Sequence, residues 1–168
     1  PIPIKKKNRP TKNGFFLTAD HITLDNDRNI SWAWGKVVIK IDDRVIKADK
    51  VKVNNKTGNG EAVGHVIITR SDGTRLKAKR SRFNIDNQQS RTFQVRGRLG
   101  DEFHIKGEEI TRYSNSHFNI QRGQITSCEG KLPDWLFEAD SMDILTGDTA
   151  IFTRGVLNIS RSVYTSAE

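Results

Sequence analysis

The sequence predicts an all-β fold, an elongated structure built from stacked antiparallel strand repeats. Three observations indicate it: a phrase of the form Ala-Asp-x-φ-x-φ (φ is apolar) recurs about every 30 residues, apolar and polar residues alternate along it, and polar turns separate its copies. Only four of the 168 residues are proline. Most of the chain is therefore free to pair as sheet.

The repeat phrase has three full copies, at residues 19–24, 48–53 and 139–144. A degraded copy begins at Ala78, and a weaker one begins at Lys106. Regular repeats favour the stacking of like units on one another. They therefore favour an elongated stack over the alternative, an ordinary antiparallel barrel or sandwich.

Each copy is followed by a polar turn and then by a strand that carries a glycine. The turns lie at residues 25–29, 54–60, 86–89 and 146–148, and the glycine strands at 34–39, 63–68, 122–125 and 154–159. Third strands, at residues 44–47 and 74–77, lead into the next copy. Because a glycine inside a strand often marks a bend, its recurrence at one place predicts strands that bend across a fold line and wrap around an elongated sheet pair.

Alternation places one set of apolar side chains on the interior face and the intervening polar residues on the other face. The predicted interior set is Ile22, Leu24, Val37, Ile39, Val51, Val53, Val66, Ile68, Phe83 and Ile85. Plain core packing explains any one of them better than ligand contact does. As a set they would line a continuous apolar interior, which favours lipid handling. Trp32, Trp34 and Trp135 fit either the mouth of such a groove or its core.

The chain carries a net charge of +8, concentrated in basic regions at residues 36–56, 75–82 and 91–98. A positive field favours anionic partners such as nucleic acid, lipid phosphates or acidic glycans. A solvated strand face whose lysines protect the sheet edges explains the same charge. Charge alone therefore does not choose the partner.

The sequence lacks the residue patterns of catalysis. Its four histidines lie far apart without metal-ligand spacing. The aspartates of the repeat fit a structural role better than acid catalysis. No phosphate-binding loop, nucleophile elbow or Cys-x-x-Cys pair occurs. We therefore expect no enzyme, no metal and no cofactor.

Residues 1–10 are basic and lack the apolar region of a signal peptide, as a processed secreted chain would. No apolar run is long enough for a membrane-spanning helix. Cys128 is the sole cysteine. It is therefore a buried small side chain, a free thiol or half of a bridge to a cysteine that lies outside this sequence.

The repeat phrases resemble those of the OstA-like family, the lipopolysaccharide transport domains that include LptA, LptC and the amino-terminal domain of LptD. The resemblance covers about Phe16 to Ile159, and its matching phrases are the copies at 19, 48 and 139, Trp34-Gly35-Lys36-Val37, Val63-Gly64-His65-Val66 and the turn at 69–73.

A further segment is similar to the LptD branch of the family, namely residues 124–128 followed by residues 133–140, with Cys128 and Trp135 as its landmarks. The match departs at Ile125, where the branch has tyrosine, and after Ile159, where its proline-rich approach to a barrel is missing. The resemblance therefore fits either an excised domain of a barrel protein or a stand-alone relative similar to LptA or LptC.

The resemblance implies an elongated open β-jellyroll at residues 16–160, between a basic flexible segment at 1–15 and a tail at 161–168 that would begin an outer-membrane barrel. The implied location is the periplasm at the outer membrane of a Gram-negative cell. There the domain would receive lipopolysaccharide from an LptA-type bridge protein by edge-strand pairing. It would pass the lipid towards the barrel and the lipoprotein LptE, without a cofactor and without nucleic acid.

The resemblance also implies roles for particular residues. The ten interior residues would line a lipid groove. Candidates for contact with lipid A phosphates are Arg75, Lys77, Lys79, Arg80 and Arg82, with the basic terminus Lys5, Lys6, Lys7 and Arg9 as a further set, although a solvated tail explains that terminus. Cys128 matches the family cysteine that bridges to the barrel, and without that partner we expect a free thiol.

Two other classes of function remain open at this point. A basic β-sheet binder of nucleic acid or acidic glycan needs aromatic residues among the cations of one exposed face, whereas alternation predicts that Phe83 and Phe93 are interior. A scaffold that only associates edge to edge is the other class, and affinity for lipid separates it from transport.

Overall fold

The computed structural model describes residues 15–87, 89–129, 133–145 and 149–159. These residues form the strands β1 Phe16–Thr18, β2 His21–Asp25, β3 Ile30–Ile41, β4 Arg44–Asn54, β5 Asn59–Arg70, β6 Arg75–Asn84, β7 Ser90–Leu99, β8 Phe103–Arg112, β9 His117–Thr126, β10 Trp135–Leu145 and β11 Thr149–Ile159. Within those ranges, no helix is long and apolar enough to cross a membrane. The predicted basic segment (apart from Phe15), the predicted tail and the turn at 146–148 lie outside the described residues.

The strands form one antiparallel sheet in which β1 is followed by β3 to β11 in chain order, while β2 pairs with the other end of β3. This architecture confirms the predicted all-β fold of antiparallel strand repeats. One detail differs. The short strands predicted at 44–47 and 74–77 are the first parts of β4 and β6, because the chain bends there instead of turning back.

The long strands bend along one line across the sheet, which we call the fold line. The register shifts by a residue at this line in β3, β4 and β5. On alternate strands a residue at the line has left-handed backbone geometry; these residues are Lys36, His65, Gln94, Arg122 and Arg154. A recurring glycine lies beside each of them except Gln94, so the bend predicted from glycine spacing is present.

The fold line divides the sheet into arm 1, which contains β1, and arm 2, which contains β2. The inner faces of the two arms meet and form the core. Where the arms converge, β4, β6, β8 and β10 each place a small residue inward, namely Ala48, Ala78, Gly107 and Ala139. Only small side chains fit there, and this explains the alanine of the repeat. The next residue of each strand faces outward.

Candidate functional site

The space between the arms is lined by apolar rows that run across the strands. Paired registers define one row of arm 1, formed by Leu17, Ile39, Ile46, Ile68, Leu76, Gly97, Ile105, Ile125, Phe137 and Leu157. The facing row of arm 2 is formed by Ile22, Ala33, Val51, Ala62, Ser81, Thr92, Ile110, Ile120, Met142 and Phe152. The interior is therefore lined mainly by apolar side chains along the length of the sheet, and Ser81 and Thr92 are the polar members of these two rows.

Both ends of this interior are open. Ile22 and Leu24 on β2 are 37% and 40% exposed, and Phe152 and Leu157 on β11 are 36% and 52% exposed. Their paired neighbours Ala33 and Met142 are buried. The exposure therefore arises because the sheet formed by the described residues stops at β1–β2 and at β11, and a further strand at either edge would continue the apolar rows.

The middle of the interior is nearly filled. A cavity of about 40 Å³ remains between the arms, whereas pockets for small ligands usually measure some 300 Å³ or more. Ser81 and Thr92 lie at its wall, both buried, with their hydroxyl oxygens 2.9 Å apart. An acyl chain therefore fits the middle only after the arms move apart.

The edge opposite the fold line, which we call the mouth, is crossed by hydrogen bonds between the arms. Arg44 of arm 1 is 3% exposed, and its Nη2 donates to the carbonyl oxygens of Asn84 and Asn87 in arm 2, both at 3.2 Å. Arg70 of arm 1 donates through Nη2 to Asn115 Oδ1 of arm 2 at 2.9 Å. These contacts, which we call the latch, hold the mouth shut near the middle of the sheet.

The latch brings several guanidinium and carboxylate groups close together. Burial, followed by the neighbouring guanidinium of Arg70, lowers the pKa of Arg112 to about 10 and also lowers the pKa of Arg44. Asp43 lies 2.9 Å from Arg70 Nη2. Although burial favours the neutral acid, hydrogen bonds from Thr74 and the charges of Arg70 and Arg112 lower the pKa of Asp72. The latch thus places the buried guanidinium groups of Arg44 and Arg70 close to the more exposed carboxylates of Asp43 and Asp72.

Eight of the ten residues predicted to line the interior are buried there, namely Val37, Ile39, Val51, Val53, Val66, Ile68, Phe83 and Ile85. The other two, Ile22 and Leu24, face the same side but lie exposed at the β2 edge. Whether any of the ten contacts lipid stays a prediction.

The five basic residues predicted to contact phosphate all face away from the interior. Arg75 and Lys77 lie on the outer face of arm 1, and Lys79 lies at the fold line. Arg80 and Arg82 lie on the outer face of arm 2, where both guanidinium groups cover the ring of Phe93. They therefore do not reach the acyl space between the arms, and a contact with phosphate would have to occur outside it.

Phe93 was predicted to be interior, and this is wrong. The left-handed residue Gln94 interrupts the alternation of β7, so Thr92 points inward and Phe93 points outward. Trp32 and Trp34 are also exposed on this outer face, not at the groove mouth or in the core. Lys52 lies over Trp32, and His21 stacks on Trp34.

Cys128 is half-buried after the end of β9 and forms no disulfide. Its amide donates to Thr126 Oγ1. The predicted phosphate contacts Lys5, Lys6, Lys7 and Arg9 lie outside the described residues.

Sequence reasoning missed the latch, because a basic residue next to a polar turn resembles a solvated strand end. One available signal was the spacing. Arg44 and Arg70 occupy paired positions at the ends of β4 and β5, and each continues an alternating row of inward residues that is otherwise apolar.

These features define a class: an open antiparallel sheet folded over a continuous apolar interior, with free edges at both ends. The family described as LptA/(LptD N-terminal domain) LPS transport protein matches residues 17–118. The chain belongs to this family.

The chain is also similar to individual members of the class. It is 26% identical over 110 residues to LPS-assembly protein LptD from two strains of Xanthomonas campestris pv. campestris, a match that covers 66% of this chain and 14% of each relative. The chain thus spans a small part of these relatives. The crystal structure of LptH, the LptA homologous periplasmic component of the lipopolysaccharide transport device of Pseudomonas aeruginosa, aligns over 90% of this chain and 85% of that one, at 11% identity and a TM-score of 0.44.

Proposed function

We propose that the chain is a passive carrier domain that holds the acyl chains of lipopolysaccharide between its two arms. The observation that carries this proposal is the pair of apolar rows that face each other along the whole sheet and end exposed at both edges. Burial of an acyl chain there would gain about 0.8 kcal/mol per methylene. The family match supports lipopolysaccharide as the lipid, since the family is one of LPS transport proteins.

The sheet edges supply the route of transfer. Lipopolysaccharide would arrive from an LptA-type protein whose strand extends the β1–β2 edge, and it would leave past β11 towards an outer-membrane barrel and LptE. Among the described residues, β1, β2 and β11 are edge strands whose outer backbone groups pair with no further strand, and such groups are templates for another strand. Ile22 and Leu24 at one edge and Phe152 and Leu157 at the other would then be buried against the partners. The proposed location is the periplasmic side of the outer membrane.

Photocrosslinking tests the proposal. A photoreactive residue is placed in turn at the buried positions Ile39, Val53 and Ile68, and at the control Lys52, which faces outward over Trp32. Crosslinks to lipopolysaccharide at the three interior positions and not at Lys52 are expected. Labelling at Lys52 alone, or at none of the four, would overturn the carrier function and leave a surface binder or an edge-pairing scaffold.

A further inference from the structure

A second concave surface lies outside the acyl space. It is a groove of about 1120 Å³ on the outer face of arm 1, beside the fold line, and it crosses β5 to β11. One wall is the ridge of left-handed residues His65, Gln94, Arg122 and Arg154. The other is an outer row that contains Lys77, Arg96, Lys106, Gln124 and Glu138. Seven strands spaced about 4.8 Å apart give it a length of some 30 Å.

The cations of this groove fall into two groups. Arg122 pairs with Glu108, and Arg154 pairs with Asp140. The second group has no ion-pair or hydrogen-bond partner among the described residues; it consists of Lys77, Lys79, Arg96 and Lys106. All four are exposed. The β6–β8 part of the groove therefore carries uncompensated positive charge.

The strand register places cations of this second group next to one another, which destabilises the sheet. Lys77 is directly opposite Arg96, and Arg96 is directly opposite Lys106. Like charges directly opposite each other on neighbouring strands destabilise a sheet. The corresponding cations on the outer face of arm 2 are compensated, since Arg82 pairs with Glu61 and Arg91 with Glu109. An anion bound across Lys77, Arg96 and Lys106 would relieve the repulsion over about 10 Å.

The rest of the lining narrows the class of anion. Beyond the cations the groove presents amide and carboxylate groups, among them Gln124 and Asn158, which both donate to Glu138. Amide and carboxylate groups can form hydrogen bonds with the hydroxyl groups of a ligand. Among the described residues that line it, none is a phenylalanine, tyrosine or tryptophan, and the imidazole of His65 pairs with Asp49. The row of aromatic rings on which single-stranded nucleic acid stacks is therefore missing from the described lining. A concave groove also does not fit a flat membrane surface.

We propose that this groove binds a phosphorylated oligosaccharide, with the phosphates on Lys77, Arg96 and Lys106 and the sugar hydroxyls towards Gln124 and Glu138. The inference rests on the proposed function for the source of that saccharide, which is the head group of the same kind of lipid that the arms are proposed to carry. The groove is on the other face of the sheet. It would therefore hold the head group of a second lipid molecule or of one whose chains are not between the arms.

The test uses a ligand without acyl chains, so that the apolar interior plays no part. The full chain is titrated calorimetrically with the completely deacylated, phosphorylated saccharide of lipopolysaccharide, with the same saccharide after removal of its phosphates, and with inorganic pyrophosphate. The test variant combines Lys77→Gln, Arg96→Gln and Lys106→Gln. The control variant removes the same charge elsewhere through Lys40→Gln, Lys50→Gln and Lys56→Gln, and thermal unfolding checks that both variants fold.

The phosphorylated saccharide is expected to bind, and the test variant to bind it about tenfold or more weakly than the control variant does. The dephosphorylated saccharide should bind at least tenfold more weakly than the intact one. The proposed binding site would be overturned by an equal loss of affinity in both variants, by equal affinity for the two saccharides, or by a wild type that binds neither. Pyrophosphate that binds as tightly as the saccharide would overturn the saccharide assignment. The photocrosslinking experiment tests the carrier function independently of this groove, because its interior positions lie between the arms.

Discussion

Asp49 and His65 pair across the fold line, with Asp49 Oδ2 2.8 Å from His65 Nδ1. Asp49 is the aspartate of the second repeat copy, and His65 is the left-handed residue of the next strand. Asp140 makes the same kind of contact with Arg154 at 2.6 Å, and Glu108 makes it with Arg122. The acidic position of the repeat is thus a structural contact that recurs along the bend.

The bend also needs a glycine at this place. Gly64 has a φ of +78°, and a Cβ atom on it would lie 2.3 Å from Asp49 Oδ2. Asp49 can approach His65 only because residue 64 has no side chain. At the first two copies, the Ala-Asp phrase on one strand and the glycine on the next therefore describe a single joint, since a Cβ atom on Gly35 would likewise lie 2.8 Å from Asp20 Oδ2.

The first prediction concerns this joint. Gly64→Ala should lower the free energy of unfolding by about 2–3 kcal/mol, because it adds both a left-handed alanine and a clash with Asp49. Gly100→Ala is the control, since Gly100 has a φ of +60° but its Cβ would meet nothing closer than 3.8 Å. The control should lose about 1 kcal/mol. Equal losses in urea unfolding would show that the clash with Asp49 does not matter.

Much of the fold could be predicted because its repeats are local. The alternation of Val51 and Val53 and the recurring glycines follow from steric rules within one strand. Which side chains of β7 point inward could not be predicted. Lys79 stands where other copies have the repeat aspartate, and the left-handed residue Gln94 has no glycine beside it. Nothing in the sequence therefore marks the bend that turns Phe93 outward.

The latch could not be predicted for a different reason. Arg44 bonds to carbonyl oxygens 40 and 43 residues further along the chain. Those contacts depend on how far the arms close, which is a property of the whole core. The exposed ends of the interior were missed in the same way, since Ile22 has the same local pattern as the buried Val51.

The second prediction concerns the buried hydroxyl pair Ser81 and Thr92. Loss of one partner leaves a buried polar group unsatisfied, so Ser81→Ala or Thr92→Val alone should cost about 1–3 kcal/mol. The double variant should cost less than the sum of the two, because no polar group then remains. A double-mutant cycle in urea measures the coupling. Additive losses would contradict a hydrogen bond between them.

The third prediction concerns the stability of the fold at acid pH. The pKa of Asp72 is lowered below its usual 3.8 in the folded chain. Its ionised form therefore stabilises the fold above about pH 4, and that contribution is lost as the pH falls towards the folded value. Asp72→Asn should be less stable than the wild type near pH 7, and the difference should shrink by about pH 3. Asp27→Asn removes an exposed turn carboxylate as the control. A difference for Asp72→Asn that is constant with pH would contradict the linkage.

The last prediction concerns the opening of the mouth. Arg44→Met keeps a long apolar stem in a buried position and removes the hydrogen bonds to Asn84 and Asn87. Loss of hydrogen bonds from a charged donor, about 1.5 kcal/mol, is partly offset by the relief of burying the charge. Global stability should therefore change by less than about 1 kcal/mol, while local opening should become up to about tenfold more frequent. Hydrogen exchange at the amides of Asn84 and Ile85 measures that opening.

The same variant should take up an acyl-chain probe faster, because the arms must separate before a chain fits into a space of about 40 Å³. Lys47→Met is the matched control, since it removes an equal charge from the exposed outer face of the same strand. Faster exchange and faster uptake in Arg44→Met alone would identify the latch as the barrier to lipid entering the interior. Faster exchange with unchanged uptake would mean that acyl chains enter through the exposed ends at Ile22 or Leu157 and never pass the mouth.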